Sequence, residues 1–183
     1  LRAQILAGLR HESEQADAVA GKALMAALYP DDPYGRPTRG TVDTVAKLTV
    51  DDLRGFVKRR LARDTLFIGI VGAITPEELA PLLDKTFGGL PAKAAPWKLP
   101  EVGPDAKART VVIDKPIRQS NILFADKGVM RHDPDFYPAY VMNHILGGGG
   151  FTSRLYSEVR EKRGLAYSVY TYLSPMDRSA VYV

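Results

Sequence analysis

Residues 147–170, GGGGFTSRLYSEVREKRGLAYSVY, join a run of glycines to a helical pattern and then to an alternating one. Because four consecutive glycines do not hold one backbone conformation at low free-energy cost, they predict a mobile loop. Leu155 and Val159 then recur at helical spacing, and Gly164 marks the end of the predicted helix. The stretch therefore predicts a loop, a helix and a strand in direct succession.

The last part of this stretch predicts a strand and, with the helix, a candidate site. Residues 165–172 alternate between two faces, which is typical of a strand. Since the helix ends where this strand begins, we expect Arg160 and Tyr167 to point into one cleft. Two plainer interpretations stay open. Arg160 can belong to a solvated helix face, on which Glu158 pairs with Lys162, and Tyr167 can be ordinary strand packing.

The glycine run differs from phosphate-binding loops. It lacks the Gly-Lys-Ser/Thr sequence of a P-loop, and Ser153 stands where a Gly-x-Gly-x-x-Gly fingerprint needs glycine. No apolar strand leads directly into the glycines, as such motifs require. The sequence therefore argues against nucleotide binding, and a helix C-cap followed by slack chain stays open as the plainer alternative.

The composition is that of an ordinary globular protein. The 183 residues are 45% hydrophobic and 25% charged, and the formal net charge is +4. Basic residues are spread along the chain among the acidic ones, which argues against nucleic-acid binding. No apolar run approaches the roughly 18 residues of a membrane span, so none is predicted. The chain starts and stops inside predicted elements, and we therefore expect an internal piece of a longer protein.

The first 48 residues predict helices around one loop. Helical spacing covers residues 1–9 and again 19–29, with a polar break between them. Residues 31–40 are too rich in Pro and Gly for a regular element and predict an ordered loop. A short helix is expected over residues 41–48.

Two helix starts and one strand are predicted between the loop and the middle of the chain. Thr49 with Asp52 resembles a capping box, and residues 75–78 (TPEE) supply an N-cap, a Pro at the first helical position and a capping acid. The second of these helices is expected to end at Gly88. Residues 66–71 form an almost unbroken apolar run, which predicts a buried strand.

A Pro-rich stretch divides the chain. Residues 91–104 hold four prolines and no periodic pattern, which predicts an extended linker between two sheets that do not share a core. Trp97 is expected to hold this linker in place. We therefore predict a first domain over 1–90, a linker over 91–108 and a second domain over 109–183.

The second half of the chain mixes strands and helices. Strand-like runs occur at 110–113 and 120–124, a helix begins at Asp133, and a last strand is expected at Ala180. Elements in this order favour an antiparallel sheet that helices cover on one face. The predicted fold class is α+β.

Four stretches carry a resemblance to a known family. They are residues 29–37 (YPDDPYGRP) with the Gly-Thr pair at 40–41, residues 48–53 (LTVDDL), residues 71–76 (VGAITP), and the glycine loop with its helix and strand. Together they resemble the pitrilysin and insulinase superfamily of zinc metallopeptidases, and within it the bacterial relatives of mitochondrial processing peptidase. The resemblance implies two similar α+β domains, each an antiparallel sheet with helices on one face, which face each other across a chamber. Both domains are then incomplete here, as the rear of the first and the front of the second.

The zinc site that this resemblance implies is not complete in the sequence. The family places an inverted His-x-x-Glu-His motif on a helix of the first domain. This chain has only His11, His132 and His144, no two of which are four residues apart, and it has no cysteine. The motif is therefore expected in a segment upstream of Leu1 or in a catalytic partner.

The family's third zinc ligand is a Glu, and its expected place lies within this chain. Counting about 25 residues back from Pro33 reaches Gly8, which cannot bind a metal. A gap in the alignment would instead bring Glu12 or Glu14 to this place. The count favours a subunit that never held zinc, so no cofactor is predicted in this chain.

The resemblance also assigns a role to the stretch described first. Active family members supply an Arg and a Tyr seven positions apart, which bind and polarise the substrate carbonyl, and Arg160 and Tyr167 have that spacing. Zinc-bound water attacking a peptide carbonyl builds negative charge on the oxygen, which a guanidinium and a phenol stabilise. The implied substrate-binding residues are Gly147, Gly148, Gly149, Gly150 and Phe151.

Three functional interpretations stay open. The first is the zinc-free subunit of a metallopeptidase that acts on peptides or unfolded proteins, paired with a homologous zinc-bearing subunit or with a second copy. The second is a fragment of a zinc-bearing chain, and the third is a peptide-binding scaffold without activity. The absence of cysteine suits the periplasm and the cytoplasm alike. For a bacterial protein we slightly favour the periplasm.

Overall fold

The computed structural model describes residues 1–105 and 107–183. Position 106, which belongs to the predicted linker, lies outside the described residues. The chain forms two compact units, which are Leu1–Val42 together with Leu99–Val183, and Asp43–Lys98. The predicted domains over 1–90 and 109–183, joined by a linker over 91–108, are domains of a larger peptidase fold. That division stays a prediction.

The described residues form six α-helices. They are α1 (Arg2–Glu14), α2 (Ala16–Leu28), α3 (Val42–Lys47), α4 (Val50–Arg60), α5 (Pro76–Phe87) and α6 (Phe136–Asn143). Gln15 separates the first two because its backbone is extended, with φ −80° and ψ 125°. The helices expected at the start of the chain are thus confirmed. Of the described helices, none is long and apolar enough to cross a membrane.

Capping side chains start α4 and α5 in the smaller unit. The Thr49 hydroxyl accepts a hydrogen bond from the backbone N–H of Asp52 at 3.2 Å, and the Asp52 carboxylate accepts one from the N–H of Thr49 at 2.8 Å. Thr75 and Glu78 form the same reciprocal pair at 3.3 and 3.0 Å. Both predicted caps are confirmed, and α5 ends before Gly88 as expected. An N-cap of this kind stabilises its helix by about 0.5–2 kcal/mol.

The first part of the Pro-rich stretch is attached to α4. The backbone N–H of Ala95 donates to the carbonyl of Arg59 at 2.9 Å, and that of Ala94 donates to the Asp64 carboxylate at 2.9 Å. The Arg60 guanidinium lies 4.5 Å from the centre of the Trp97 ring, which is a cation–π distance. Trp97 therefore holds this segment through Arg60.

Several predicted strands are absent from the described structure. Residues 66–71, 110–113 and 120–124 have extended or irregular backbone without strand pairing. The Phe67 side chain is 96% exposed, so the predicted burial of its segment is also wrong. An apolar run shows that a segment favours burial, whereas a strand also needs a neighbouring backbone to pair with. The described residues provide no such neighbour for these segments.

One antiparallel sheet lies in the larger unit. Its strands β1 (Asp126–Lys127), β2 (Leu173–Pro175) and β3 (Ala180–Tyr182) follow the order β1-β3-β2. The last strand is confirmed at Ala180, and the fold class is α+β as predicted. The strand expected over 165–172 is wrong except at its end, where Tyr172 and Val183 exchange backbone hydrogen bonds of 2.8 and 3.0 Å.

The core of the larger unit contains Leu28 and Tyr29 at the end of α2 and Val181 in β3. The Tyr29 and Ser179 hydroxyls form a buried hydrogen bond of 2.6 Å. Residues from both sides of the Pro-rich stretch thus share one core within the larger unit. Burial of apolar surface across the stretch favours this arrangement over two small cores.

Candidate functional site

The glycine run is partly helical. α6 continues into a π-helical turn, His144–Gly148, and a short 3₁₀ turn follows at Gly150–Thr152. The loop predicted for the whole run is therefore wrong for its first two glycines. Inserted π-helical turns often occur at functional sites of proteins, because they displace side chains from the regular helical positions.

Gly147 sits where only glycine fits. A Cβ atom on this residue would lie 2.4 Å from the Thr171 hydroxyl and 2.6 Å from the Thr171 backbone nitrogen. The Thr171 hydroxyl donates to the buried Asn143 side chain at 2.8 Å, which links α6 to the segment before β2. This close packing places the glycine run directly beside residues 165–172, the segment that contains Tyr167 and Thr171.

The helix that follows is wound as a π-helix over Tyr156–Glu161. The N–H of Lys162 donates to the carbonyl of Ser157 at 3.0 Å, five residues earlier, as in a π-helical turn. Ser153 is 1% exposed, and its hydroxyl accepts from the N–H of Tyr156 at 3.4 Å. Gly164, with φ +61°, ends the segment in a left-handed conformation that favours glycine.

Arg160 and Tyr167 lie side by side, as expected from the sequence, whereas the cleft that they were expected to share stays a prediction. The Arg160 guanidinium carbon is 4.9 Å from the centre of the Tyr167 ring and 4.7 Å from the centre of the Tyr156 ring. Arg160 is half-buried, whereas Tyr167 is 82% exposed. The guanidinium is thus held by cation–π contacts to two tyrosines, one of which is open to solvent.

The neighbouring cations are neutralised by one carboxylate. Glu158 accepts hydrogen bonds from the Lys162 ammonium and, at 2.8 Å, from the Arg163 guanidinium. These two partners, Lys162 first, lower the pKa of the Glu158 carboxyl. In the described part of the chain, no carboxylate lies within ion-pair distance of Arg160. The solvated-face interpretation therefore fits Lys162 and Arg163 better than Arg160.

The predicted substrate-binding residues differ in their exposure to solvent. Gly147 is buried, Gly149 is half-buried, and Gly148, Gly150 and Phe151 are exposed. The Phe151 ring meets the Tyr156 ring edge-on, with centroids 5.0 Å apart. Their role in substrate binding stays a prediction.

Tyr156 is the residue that sequence reasoning missed. It lies four residues before Arg160, and this spacing places two side chains on the same side of a helix. An aromatic residue four positions before the candidate Arg160 is the sequence signal that could have identified Tyr156.

The residues near Gly8 do not fit a zinc ion. Arg39 lies against Gly8, with its Nη2 atom 3.4 Å from the place of a Cβ on that residue. The Glu12 carboxylate is bound by the Arg39 guanidinium and, at 3.3 Å, by the Lys22 ammonium. The His11 ring is 2.9 Å from the side-chain amide of Gln15. A cation beside the expected ligand position disfavours a divalent metal there.

The described residues also lack a metal-binding cluster. They contain no group of three His, Cys, Asp or Glu side chains that could hold a metal ion.

Comparison with known proteins places the chain in a family. Residues 47–182 match the family described as peptidase M16 inactive domain. The chain is 36% identical over 153 residues to an uncharacterized zinc protease of Streptomyces coelicolor, covering 80% of this chain and 33% of that protein. It is 30% identical over 165 residues to an uncharacterized zinc protease of Bacillus subtilis, covering 90% of this chain and 39% of that protein.

Solved structures show the same relation. The crystal structure of a peptidase M16 inactive domain from Pseudomonas fluorescens superimposes with a TM-score of 0.80 at 30% identity, over 99% of this chain and 44% of that one. A protease from Helicobacter pylori has the same fold, with a TM-score of 0.79 at 20% identity, over 99% of this chain and 44% of that one. The chain thus covers 33% to 44% of the length of these relatives. The family expected from the four sequence stretches is confirmed, and the chain belongs to the peptidase M16 family, in the part of it described as the inactive domain.

Proposed function

We propose that this chain is part of a zinc-dependent metalloendopeptidase that acts on peptides or unfolded proteins, and that it belongs to the subunit without zinc. In this proposal the chain supplies Arg160, Tyr167 and the glycine-rich segment to a catalytic partner. The observation that carries the proposal is the half-buried Arg160 guanidinium, which stacks on two tyrosines and lacks a carboxylate partner among the described residues.

The chemistry of this pair suits a peptide carbonyl. A guanidinium without an internal anion retains N–H donors for a substrate oxygen, and the exposed Tyr167 can offer its phenol to the same oxygen. Both groups stabilise the negative charge that develops on the carbonyl oxygen when water attacks it. Donors held in place before the reaction stabilise the transition state without further reorganisation.

The zinc ion is assigned to a partner in this proposal. The similar proteins from Streptomyces coelicolor and Bacillus subtilis carry the name zinc protease, which supports metal-dependent proteolysis in proteins of this kind. The Arg39 and Glu12 arrangement around Gly8 supports a subunit whose own metal site is absent. The partner is then a homologous subunit with the His-x-x-Glu-His motif. A second copy is the partner only in the alternative in which that motif precedes this segment in the full-length protein, and the chain then bears zinc itself.

The test is peptidase activity and zinc content of the full-length protein, alone and with a homologue that carries the zinc motif. We expect cleavage of an unfolded protein substrate only in the mixture, and zinc only in the homologue. Zinc and activity in the full-length protein alone would instead support the zinc-bearing chain. Peptide binding without activity in any combination would support the scaffold.

A further inference from the structure

The Arg160 guanidinium has a second aromatic neighbour that belongs to its own helix. Tyr156 lies four residues earlier in the same π-helical segment, and its ring centre is 4.7 Å from the guanidinium carbon. The Tyr167 ring is 4.9 Å away and belongs to the segment after Gly164. Of the two rings, Tyr156 shares a continuous hydrogen-bonded backbone with Arg160, whereas Tyr167 follows a turn and is largely exposed.

Tyr156 is held both at its backbone and at its ring. Its backbone N–H donates to the hydroxyl of the buried Ser153 at 3.4 Å. Phe151, in the turn after the glycine run, meets its ring nearly perpendicularly, at an interplanar angle of 88°. Edge-to-face contacts of this kind fix the orientation of both rings. The turn after the glycines thus reaches Arg160 through Phe151 and Tyr156.

Ion pairing does not compete with this aromatic contact. Glu158, which lies between Tyr156 and Arg160 in sequence, is engaged by Lys162 and Arg163. An arginine without an ion pair keeps its rotamer through packing of its stem and plane. Of the two rings that contact the guanidinium, Tyr156 is the one on the same π-helical segment, and it therefore restricts the guanidinium before a substrate arrives.

We propose that Tyr156 is a positioning residue, which holds the Arg160 guanidinium in the plane that a substrate carbonyl needs. This inference rests on the proposed function of Arg160. The contact uses the face of the ring, and the Tyr156 hydroxyl takes no part in it. Phenylalanine at position 156 is therefore sufficient, and an aliphatic residue of similar size is not.

The kinetic test uses the full-length protein in its complex with the zinc-bearing homologue. We expect Tyr156→Leu to lower kcat about threefold to tenfold with little change in KM, the range that corresponds to one lost cation–π contact. Tyr156→Phe should retain the wild-type kcat. Equal losses in both variants, or no loss in Tyr156→Leu, would overturn the positioning role.

A second measurement does not depend on how well the leucine variant folds. Protons above an aromatic ring face shift upfield in an NMR spectrum, so the Arg160 side-chain protons should be shifted upfield in arginine-labelled wild-type protein. Arg160→Lys identifies the signal by its disappearance. The shift should persist in Tyr156→Phe and also in Tyr167→Leu, in which the Tyr156 ring is the remaining one of the two rings that contact the guanidinium. Its absence from the wild-type spectrum, or its loss in Tyr167→Leu, would overturn the proposal.

The proposed function of Arg160 and the positioning role of Tyr156 can be tested separately. If Arg160→Ala leaves kcat unchanged, the proposed function of Arg160 is wrong, and the NMR shift alone decides whether Tyr156 orients it. If Arg160→Ala abolishes activity while Tyr156→Leu does not lower kcat, Arg160 acts without the help of Tyr156.

Discussion

The Arg160 guanidinium lies 4.9 Å from the centre of the Tyr167 ring, seven residues further along the chain. The π-helical segment ends at Glu161, and Gly164 turns the chain back so that the next residues pass the end of that segment. The pair is thus produced by local chain geometry. In a family whose named relatives are zinc proteases, this pair is the most direct target for a functional experiment.

The first prediction concerns this pair. In the full-length complex with the zinc-bearing homologue, Arg160→Ala or Tyr167→Phe should lower kcat by roughly 10²-fold, as the loss of one oxyanion donor does. The measurement is steady-state cleavage of an unfolded protein or a quenched fluorescent peptide.

The matched control for this prediction is Arg163→Ala. Arg163 is on the same segment, but its guanidinium is bound to Glu158 at 2.8 Å, and we expect a much smaller effect on kcat. Equal losses at positions 160 and 163 would indicate a general basic surface. Unchanged kcat in both Arg160→Ala and Tyr167→Phe would leave the scaffold as the remaining interpretation.

The second prediction concerns Glu12, which a shifted alignment would make a zinc ligand. Its carboxylate binds Arg39 and Lys22, so Glu12→Gln should leave the zinc content of the full-length protein unchanged. Loss of these partly exposed ion pairs should reduce the free energy of unfolding by about 1 kcal/mol or less. Metal analysis after dialysis and denaturant unfolding measure the two effects.

Glu14→Gln is the control for this second prediction, since Glu14 is the other carboxylate that the alignment allowed. Zinc content should be unchanged in this variant as well. A stoichiometric loss of zinc from either variant would show that the substituted residue is a ligand, and it would overturn the assignment of this chain to the zinc-free subunit.

The elements that were predictable from sequence are those with local causes. The caps at Thr49 and Thr75 depend on side chains three residues apart, and both form as expected. The nearness of Arg160 and Tyr167 is local as well, because one glycine turn connects them. Signals within a few residues of each other therefore gave correct helix starts and brought the candidate pair together.

The failures depend on distant partners or on unusual helix geometry. The apolar residues 66–71 predict burial, but whether they form a strand depends on a pairing partner that is distant in the sequence. The shared core of Tyr29 and Val181 has no signal in the Pro-rich composition between them. The π-helical segment that contains Tyr156 was also not predictable, because the sequence pattern was compared with the α-helical period of 3.6 residues per turn.

The third prediction tests the packing of the glycine run. Gly147→Ala should destabilise the protein by about 1–3 kcal/mol, because the new Cβ would overlap the backbone of Thr171, which does not yield as a side chain would. Gly103→Ala is the control, since a Cβ there meets no atom within 4 Å. Thermal unfolding of both variants measures the difference. Equal melting temperatures would mean that the turn at 144–148 does not pack on Thr171 in solution.

The fourth prediction concerns the buried hydrogen bond between Tyr29 and Ser179. Tyr29→Phe leaves the Ser179 hydroxyl buried without its partner, which should cost about 1–3 kcal/mol at neutral pH. Adding Ser179→Ala removes the unpaired hydroxyl, so the double variant should recover part of that loss. Denaturant unfolding of the four proteins in this cycle measures the coupling between the two residues. Additive losses would contradict the hydrogen bond.

The same tyrosine gives a prediction at alkaline pH. Burial raises the pKa of the Tyr29 phenol above its ordinary value of 10.0, and the hydrogen bond with Ser179 offsets only part of this effect. As pH rises past 10.0, the unfolded chain loses this proton first, so the folded state binds more protons and the free energy of unfolding falls until the folded phenol also ionises. Tyr29→Phe cannot ionise at position 29, and the stability of this variant should therefore fall less steeply above that pH than the stability of the wild type.

The comparison of the two unfolding curves at pH 8 and above pH 10 isolates Tyr29 from the other tyrosines, which both proteins share. Parallel loss of stability in the two proteins would show that Tyr29 is not buried in solution.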